Sequence, residues 1–275
     1  MTKDRIFVDI HPTAVVDPRA ELGSGVKIGA FSYIDRDVKI GDNTTIDHHV
    51  TILPYTTVGT DCHIHSGAVL GDLPQDLAFQ DAVSYVQIGR QCVIREGVTI
   101  HRGTKANSVT ELGDGCLLMA FSHVAHNARL GNQVILSNGA LVAGYAEVGD
   151  RAFISGNCLI HQFTRVGRLV MMTGGSAIQK DVPPFCMTRS VSPNTIMGLN
   201  VVGLRRAGFS ADDRRQLKQA FRVLYQSGLN VSQAVDRLEH DFDSAAVREL
   251  CDFIKSSKRG ICKFFKRGTR EDDDE

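Results

Sequence analysis

Large aliphatic residues recur at every sixth position of this chain, from residue 10 to residue 178. Only Asp76, Ala82 and Ala106 break the series, whose members are Ile10, Val16, Leu22, Ile28, Ile34, Ile40, Ile46, Ile52, Val58, Ile64, Leu70, Ile88, Ile94, Ile100, Leu112, Leu118, Val124, Leu130, Leu136, Val142, Val148, Ile154, Ile160, Val166, Met172 and Ile178. Side chains alternate every two residues in a strand and repeat every 3.6 residues in a helix. A period of six therefore predicts short strands joined by corners, as in a parallel β-helix.

Glycine supplies a second, longer period. Its spacing is 18 residues, which is three hexads, or a multiple of 18. The glycines are Gly23, Gly41, Gly59, Gly113, Gly131, Gly149 and Gly167. Three hexads therefore form one turn, which predicts a triangular prism with one glycine-marked edge, where glycine tolerates the corner dihedrals. The span predicts about nine or ten coils with a spacing of about 4.8 Å.

The three missed positions mark two interruptions, near residues 72–86 and 102–111. We interpret these segments as loops that leave an otherwise continuous coil. Extended loops on a rigid scaffold often carry functional residues, although a solvated flap would leave the same pattern.

The chain is predicted to be mainly β, with a β-helix domain over residues 1–190. Pro183 and Pro184 cannot donate backbone hydrogen bonds, so the prism is expected to end near them. Residues 191–262 are expected to form a C-terminal α-helical domain. Residues 263–275 are basic and then acidic, which predicts a disordered tail.

The helical assignment depends on capping and on apolar spacing. Ser210 and Asp213 have the spacing of an N-terminal capping box, with Asp in place of the usual Glu or Gln. Leu217, Phe221 and Leu224 then recur at helical spacing, and two further amphipathic segments follow. Such stripes are most often packing faces, here against the prism end or a neighbouring subunit.

Composition excludes several classes of partner. The 31 basic and 31 acidic residues give no net charge, so no global field favours nucleic acid or an anionic membrane. The seven cysteines form no CxxC pair, which argues against a disulfide framework or a thiolate metal site and favours reduced thiols in the cytoplasm. The N-terminal residues contain no run long enough for a signal sequence or a membrane span.

The segment from 118 to 131 carries two histidines, His123 and His126, inside the strict repeat. His126 is the candidate catalytic base, because imidazole titrates near neutral pH. The neighbouring pair His101 and Arg102 could bind an anion, or the histidine could cap a strand end. Four other histidines are interpreted as wall or rim residues: His48, His49, His63 and His65.

The hexads resemble those of the hexapeptide-repeat acyltransferase superfamily, whose prism is a left-handed parallel β-helix. An ordered set of motifs resembles, more specifically, the UDP-N-acetylglucosamine O-acyltransferases of lipid A biosynthesis. The motifs are LPQDL at 73–77, IHRGT at 100–104, HVAHN at 123–127, HQF at 161–163, QKDVPP at 179–184 and GLRRAGFS at 203–210. This resemblance implies transfer of an acyl chain, usually 3-hydroxylated, from acyl carrier protein to the 3-position of UDP-GlcNAc. It also implies a homotrimer and no cofactor beyond the acyl carrier protein thioester.

The resemblance also implies residue roles. His126 matches the general base, and Gly144 matches the position whose backbone N–H stabilises the developing oxyanion. Because the two are three hexads apart, the repeat places them on successive coils of one edge. Other matching positions contact substrate or partner: Asp76 for the sugar, His123, His161 and Gln162 for the cleft, Gly174 for acyl length, and Arg205 and Arg206 for the acidic carrier protein. The two arginines could equally form a solvated face.

Three positions depart from the family pattern. Ala78 stands where a lysine is usual near the nucleotide phosphates. Asn127 replaces an Asp that commonly follows the base, and Tyr145 replaces a His that follows the oxyanion glycine.

These departures leave alternatives open. One is an acceptor with a 3-amino group, and a second is a catalytically weak or inactive paralogue that binds nucleotide sugar or carrier protein. A third is another hexapeptide transferase, including the related N-acyltransferase of the same pathway, which also has Asn after its His. That enzyme carries an additional N-terminal uridine-binding domain, whereas here the hexads begin at residue 10.

Overall fold

The computed structural model describes residues 7–190 and 192–265. Within this part of the chain, short strands form the three faces of a left-handed parallel β-helix, and four helices follow it. The mainly β architecture expected from the hexads is confirmed. No helix among these residues is long and apolar enough to cross a membrane.

Each coil contributes one strand to each face. The first face contains Asp9–Ile10, Lys27–Ile28, Thr45–Ile46, His63–Ile64, Val93–Ile94, Leu117–Leu118, Ile135–Leu136, Phe153–Ile154, Met171–Met172, Cys186–Thr188, Thr195–Leu199 and Lys263–Phe264. The second contains Val15–Val16, Tyr33–Ile34, Thr51–Ile52, Val69–Asp72, Thr99–His101, His123–Val124, Leu141–Val142, Leu159–Ile160 and Ala177–Ile178. The third contains Glu21–Leu22, Lys39–Ile40, Thr56–Val58, Tyr85–Ile88, Val109–Leu112, Arg129–Leu130, Glu147–Val148 and Arg165–Val166.

The sixth-residue aliphatics form the interior of the prism. On the second face Ile34 pairs with Ile52, and both are fully buried. The same register repeats from coil to coil, so like side chains stack in columns along the axis. A two-residue strand cannot be stable alone, and these strands persist because both neighbouring coils complete their hydrogen bonds and cover their apolar side chains.

The corners require a left-handed backbone at one residue of the hexad. Non-glycine residues with φ between 54° and 67° occupy this place at Phe31, Asp37, Asn43, His49, Tyr55, Asp61, Gln91, Phe121, Asn127, Gln133, Tyr145, Arg151, Asn157, Phe163 and Leu169. Asn and Asp tolerate this conformation better than bulky residues do, at a cost of roughly 1–2 kcal/mol for most side chains. The coil hydrogen bonds and buried aliphatics offset that cost.

The glycine-marked edge has a different cause from the one expected. Glycines of this series, such as Gly41 and Gly131, do not have positive φ angles. A Cβ atom at Gly41 would lie 2.6 Å from the carbonyl carbon of Gly59 on the next coil. The edge therefore contains glycine because successive backbones approach too closely for a side chain, and the corner dihedrals are taken up elsewhere in the hexad.

Two excursions change the spacing between coils. Val69 pairs with Thr99, five hexads later, and Thr99 pairs with His123, four hexads later, whereas most other coils are three hexads long. The chain leaves the prism between Asp72 and Tyr85 and again between His101 and Val109. Both excursions leave from the second face and return at the third, so they lie beside the same edge.

The prolines do not end the first sheet. Cys186–Thr188 follow them and pair in parallel with Met171, and Thr195–Leu199 then pair antiparallel with this strand. Pro183 and Pro184 occupy a corner, where no ladder donor is needed, so they interrupt no strand.

Four helices cover this end of the prism: α1 (Val201–Arg206), α2 (Ala211–Gln226), α3 (Val231–Asp241) and α4 (Ala245–Lys255). The capping box expected at the start of α2 is present in both directions, between Ser210 and Asp213.

The helices share a second apolar cluster with the prism end. Leu217, Leu238 and Leu250 are almost fully buried in it beside Phe185. Arg168 holds α4 in place through two short hydrogen bonds to Glu249, of 2.9 and 2.7 Å. The helical region is therefore packed onto the prism.

The charged composition of residues 263–275 predicts a disordered tail. This prediction is wrong for the first residues of the segment. Lys263–Phe264 form a strand beside Thr195–Leu199. The Phe264 ring packs edge-on against Phe221, with centroids 5.4 Å apart, and this apolar contact fixes the strand. Residues 266–275 lie outside the described residues.

Replacing Gly41 by Ala is expected to lower the free energy of unfolding by about 1–3 kcal/mol, as overpacking of closely approaching atoms does. Gly156→Ala is the matched control, because its φ is not positive and the nearest atom to a built Cβ is 3.4 Å away. Urea denaturation of both variants measures the difference. Equal stability of the two variants would contradict the close-approach explanation.

Candidate active site

His126, Gly144 and Gln162 stack on successive coils of the edge between the second and third faces. The register of this face pairs His123 with Leu141 and Leu141 with Leu159, which keeps the three corner residues in one column. The placement of His126 and Gly144 on successive coils, expected from their three-hexad spacing, follows directly from this register.

A groove of about 510 Å³ lies along this edge and the adjoining second face. It is lined by Gln75, His101, His123, Ala125, His126, Leu141, Val142, Ala143, Gly144, Leu159, Ile160, His161, Gln162, Ala177, Ile178 and Gln179. The lining of the groove therefore combines imidazole and amide groups with aliphatic side chains. Such a surface fits a substrate with one polar part and one apolar part.

The imidazole of His126 lies directly against Gly144. A Cβ atom at Gly144 would be 2.3 Å from Cε1 and 2.6 Å from Nε2 of His126. Only glycine leaves room for the ring in this position. The edge thus holds the imidazole close to the backbone of the next coil.

The hydrogen bonds of His126 determine which ring nitrogen is free. Its Nδ1 lies 3.2 Å from Oδ1 of Asn127, and the same oxygen accepts the backbone N–H of Thr104 at 3.0 Å. An N–H group can only donate, so this atom is an acceptor and His126 Nδ1 must carry its proton toward it. The lone pair of the neutral ring is then on Nε2.

Nε2 of His126 points toward the first excursion. It lies 4.0 Å from Oδ2 of Asp76, and the His126 side chain is 12% exposed. Asp76 is itself held by its own loop, because its Oδ1 accepts the N–H of Ala78 at 2.9 Å. A hydroxyl group between Asp76 and His126 could contact both.

The backbone N–H of Gly144 donates to no acceptor among the described residues. The carbonyl oxygen of Gly144 accepts the N–H of Phe163 at 3.1 Å, so the peptide on that side is fixed. An unoccupied, rigid N–H beside a candidate base is the arrangement that stabilises an oxyanion.

Two further histidines extend the site along the second face. His123 Nδ1 lies 2.7 Å from Oγ1 of Thr99, and its ring meets that of His101 edge-on with centroids 4.9 Å apart. Burial lowers the pKa of His123 to about 4, with a smaller contribution from His101, and burial also lowers the pKa of His101. Both rings are therefore neutral at physiological pH.

His101 lines the groove. The sequence had allowed two interpretations of this residue, anion binding or capping of a strand end. The register places it in one column with Ala125, Ala143 and His161. The sequence signal is the four-hexad spacing from His101 to Ala125 across the second excursion, which can be used only once the size of that loop is known. Gln75 was missed because a loop conformation has no such periodicity.

The remaining candidates are distributed more widely. His161 lines the groove, and its Nδ1 donates to the carbonyl oxygen of Gln162 at 3.1 Å. Gly174 lies on the edge between the first and second faces, across the second face from His126, and does not line the groove. Arg205 and Arg206 are exposed in the last turn of α1 and also lie outside it.

One other cluster among the described residues has the composition of a metal site. Asp47 Oδ1 accepts a hydrogen bond from His63 Nε2 at 3.0 Å, and Asp47 Oδ2 lies 3.2 Å from His65 Nδ1. The two imidazole rings are stacked, with centroids 4.0 Å apart and planes 26° apart. In-plane lone pairs of stacked rings cannot point at one ion without rotation of a ring, so hydrogen bonding to Asp47 accounts for the cluster.

A parallel β-helix of hexads with a histidine, a free backbone N–H and an amphipathic groove on one edge defines a hexapeptide-repeat acyltransferase. Comparison with known families agrees: residues 37–72 and 110–144 match the bacterial transferase hexapeptide repeats. Residues 181–262 match domain 2 of Udp N-acetylglucosamine O-acyltransferase.

Individual relatives cover nearly the whole chain. The acyl-[acyl-carrier-protein]–UDP-N-acetylglucosamine O-acyltransferase of Syntrophobacter fumaroxidans is 44% identical over 93% of this chain and 100% of its own length. That of Saccharophagus degradans is 46% identical over 92% of this chain and 99% of its own.

Solved structures agree with this relationship. The UDP-N-acetylglucosamine acyltransferase of Bacteroides fragilis has a TM-score of 0.89 at 43% identity, covering 91% of this chain and 98% of that one. The Francisella novicida enzyme has a TM-score of 0.90 at 34% identity, with coverages of 94% and 95%. The chain belongs to the UDP-N-acetylglucosamine O-acyltransferase family.

The low pKa of His123 predicts a pH dependence of stability. Its unfolded-state pKa is near 6.5 and its folded-state pKa is about 4, so the unfolded chain binds more protons between these values. Stability should therefore be complete above pH 6.5 and fall as pH decreases toward 4. We expect His123→Gln, which cannot be protonated, to weaken this decrease in melting temperature. An unchanged pH dependence in the variant would contradict the assignment of a buried neutral ring.

Proposed function

We propose that this protein transfers an acyl chain, usually 3-hydroxylated, from acyl carrier protein to the 3-hydroxyl of UDP-GlcNAc, the first step of lipid A biosynthesis. The observation that carries the proposal is the position of His126, whose imidazole lies against Gly144 with Nε2 open toward Asp76. The names of the relatives support the same substrates.

In the proposed reaction, Asp76 accepts a hydrogen bond from the sugar and orients its 3-hydroxyl. His126 Nε2 removes the hydroxyl proton as the oxygen attacks the thioester carbonyl carbon. The carbonyl oxygen becomes an oxyanion that receives the N–H of Gly144. When the intermediate collapses, the C–S bond breaks and the proton held by His126 passes to the leaving thiolate.

The rate contributions expected of these two groups are large enough for an enzyme. A positioned general base contributes about 10²–10⁴ in rate. Loss of one oxyanion donor costs about 10²–10³. His123 and His101 contribute as neutral polar rings that line the acyl and sugar subsites, because neither is charged near pH 7.

Self-association is part of the proposal. The second face exposes apolar side chains that include Val15, Tyr33, Leu141 and Leu159. Exposed apolar residues toward both ends of one flat face favour lateral packing of prisms, which supports a homotrimer. The groove would then be bounded on its open side by a neighbouring copy, and Gly174 could measure acyl length there.

We further propose that α1 meets the acidic carrier protein through Arg205 and Arg206. Both side chains are exposed, and Val201 and Val202 beside them are 49% and 60% exposed. A surface with two cations and adjacent aliphatic residues fits a partner that is acidic with an apolar centre.

The acceptor could also carry a 3-amino group. Ala78 is exposed in the excursion that carries Asp76 and supplies no cation for the nucleotide phosphates, so the contacts to the acceptor nucleotide differ from the family pattern. A catalytically inactive paralogue is less well supported, because His126, Gly144 and the groove are all retained.

Incubation of the protein with 3-hydroxyacyl carrier protein and either UDP-GlcNAc or its 3-amino analogue is expected to give an acylated sugar nucleotide, detected by mass spectrometry. His126→Ala should reduce turnover by about 10²–10⁴, as expected for loss of a general base. His240→Ala, an exposed histidine of α3, should leave activity unchanged. Full activity of His126→Ala would exclude the mechanism, and no product with either acceptor would exclude the function.

Gly144→Ala should lower kcat by about 100-fold, because the new Cβ displaces the imidazole and small misplacements have effects of this size. Gly156→Ala is the control, since Gly156 has the same place in its hexad on another edge. Steady-state kinetics and thermal melting of both variants separate loss of activity from loss of fold. A fully active Gly144→Ala enzyme would mean that the imidazole functions from a different position.

A further inference from the structure

Three side chains from separate parts of the chain form a hydrogen-bonded network behind the candidate base. Thr104 lies in the second excursion, and Asn127 and Tyr145 occupy the left-handed corners of two successive coils. Thr104 Oγ1 lies 3.0 Å from Asn127 Oδ1 and 2.8 Å from the Tyr145 hydroxyl. Asn127 is 9% exposed, and its backbone N–H donates to Thr110 Oγ1 at 2.7 Å.

The direction of every proton in this network can be assigned. Asn127 Oδ1 accepts from Thr104 twice, from the backbone N–H and from the hydroxyl. Because the single hydroxyl proton of Thr104 is used there, Tyr145 must donate to Thr104 Oγ1. Donors therefore run from Tyr145 through Thr104 to Asn127, and His126 Nδ1–H points to the same amide oxygen from the other side.

The network contains no charge. Its members are a hydroxyl, an amide and a phenol, whereas a carboxylate next to the base would stabilise the imidazolium directly. The titratable groups that face His126 are Asp76 near Nε2, His101 and His123 along the second face, and Tyr145, whose ring meets the imidazole edge-on with centroids 5.4 Å apart. Of these only Asp76 carries a carboxyl group, and it lies on the proposed substrate side.

We propose that Thr104 and Tyr145 are positioning residues which, through Asn127, fix His126 as the neutral Nδ1–H tautomer and so replace the acidic partner of a histidine base. The inference rests on the proposed function for its kinetic consequences. The tautomer itself is a property of the free protein. In this arrangement Asn127 and Tyr145 act together. Each departs from the family pattern, and the hydrogen bonds through Thr104 compensate for the missing carboxylate.

Tyr145 also has a second support. Its ring stacks on Phe163 of the next coil, with centroids 4.9 Å apart and planes 13° apart. The stack holds the phenol at the height of Thr104, because a corner side chain would otherwise be free to rotate into solvent. The network is thus anchored at the excursion by Thr104 and on the prism by Phe163.

The first test measures the tautomer in protein labelled with ¹⁵N-histidine, without substrate. The His126 signals, assigned by their loss in His126→Gln, should show a protonated Nδ1 and an unprotonated Nε2. Thr104→Val keeps the backbone N–H donor to Asn127 but removes the hydroxyl donor, so it should loosen the amide and give a minor population of the Nε2–H tautomer, and Thr104→Ser should restore the single form. A protonated Nε2 in the unmodified protein would overturn the inference while leaving the proposed acyl transfer untouched.

The second test is kinetic. Thr104→Val and Tyr145→Phe should each lower kcat by about 10-fold or more with little change in KM for the nucleotide sugar, because residues that orient a catalytic group have effects of this order. The double variant should lose no more than about the larger single effect, since both act through Asn127. Additive losses would mean that the two residues act independently of each other, and losses confined to KM or to melting temperature would mean that they do not position the base. Either result would overturn the inference.

Asn127→Asp provides a readout that a structural role would not produce. The carboxylate would still accept both Thr104 donors, but its charge would stabilise the imidazolium form of His126. A base must be unprotonated, so the rising limb of kcat/KM should move to higher pH. An unchanged pH profile with full activity would show that the Asn127 oxygen does not face the base.

Discussion

The register of the coils is the constraint on which the rest of this structure depends. Each strand is very short and is completed by hydrogen bonds to strands of the coils beside it. Ladders of this kind require a constant coil length, and three hexads per coil place Ile34 over Ile52. Any insertion must leave the prism and return in register, as both excursions do. The repeat therefore fixes the columns of side chains on every edge before any functional residue is considered.

The active edge uses this constraint in two ways. Fixed columns bring His126, Gly144 and Gln162 together without a long-range loop. The close approach of coils makes glycine obligatory beneath the imidazole, at a distance of 2.3 Å from a built Cβ to Cε1. The proposed base and the proposed oxyanion donor are then rigid relative to each other, because they belong to adjacent turns of one hydrogen-bonded scaffold. Asp76, the proposed sugar contact, and Thr104, the proposed positioning residue, come from the excursions.

The departures at Asn127 and Tyr145 are understandable only together. An amide next to the proposed base lacks the charge of a carboxylate, and a phenol at the next corner is larger than an imidazole. Thr104 connects the two through its single hydroxyl. A neutral network can fix the tautomer of a histidine as effectively as a charged partner can, although it stabilises the imidazolium less. Ala78 has no comparable compensation, since its N–H only supports the turn at Asp76.

The sequence by itself determined the prism, its three-hexad coils and the pairing of His126 with Gly144, because an exact period in an in-register scaffold converts spacing into position. It also determined the capping box of α2, which is a local interaction. Only the tertiary structure decided the cause of the glycine edge, the membership of His101 and Gln75 in the groove, and the strand at Lys263–Phe264. These depend on loop size, on approach between coils and on packing between distant segments, and none of them leaves a period in the sequence. The Thr104 network is of the same kind, since the second excursion places its hydroxyl by a path that no repeat describes.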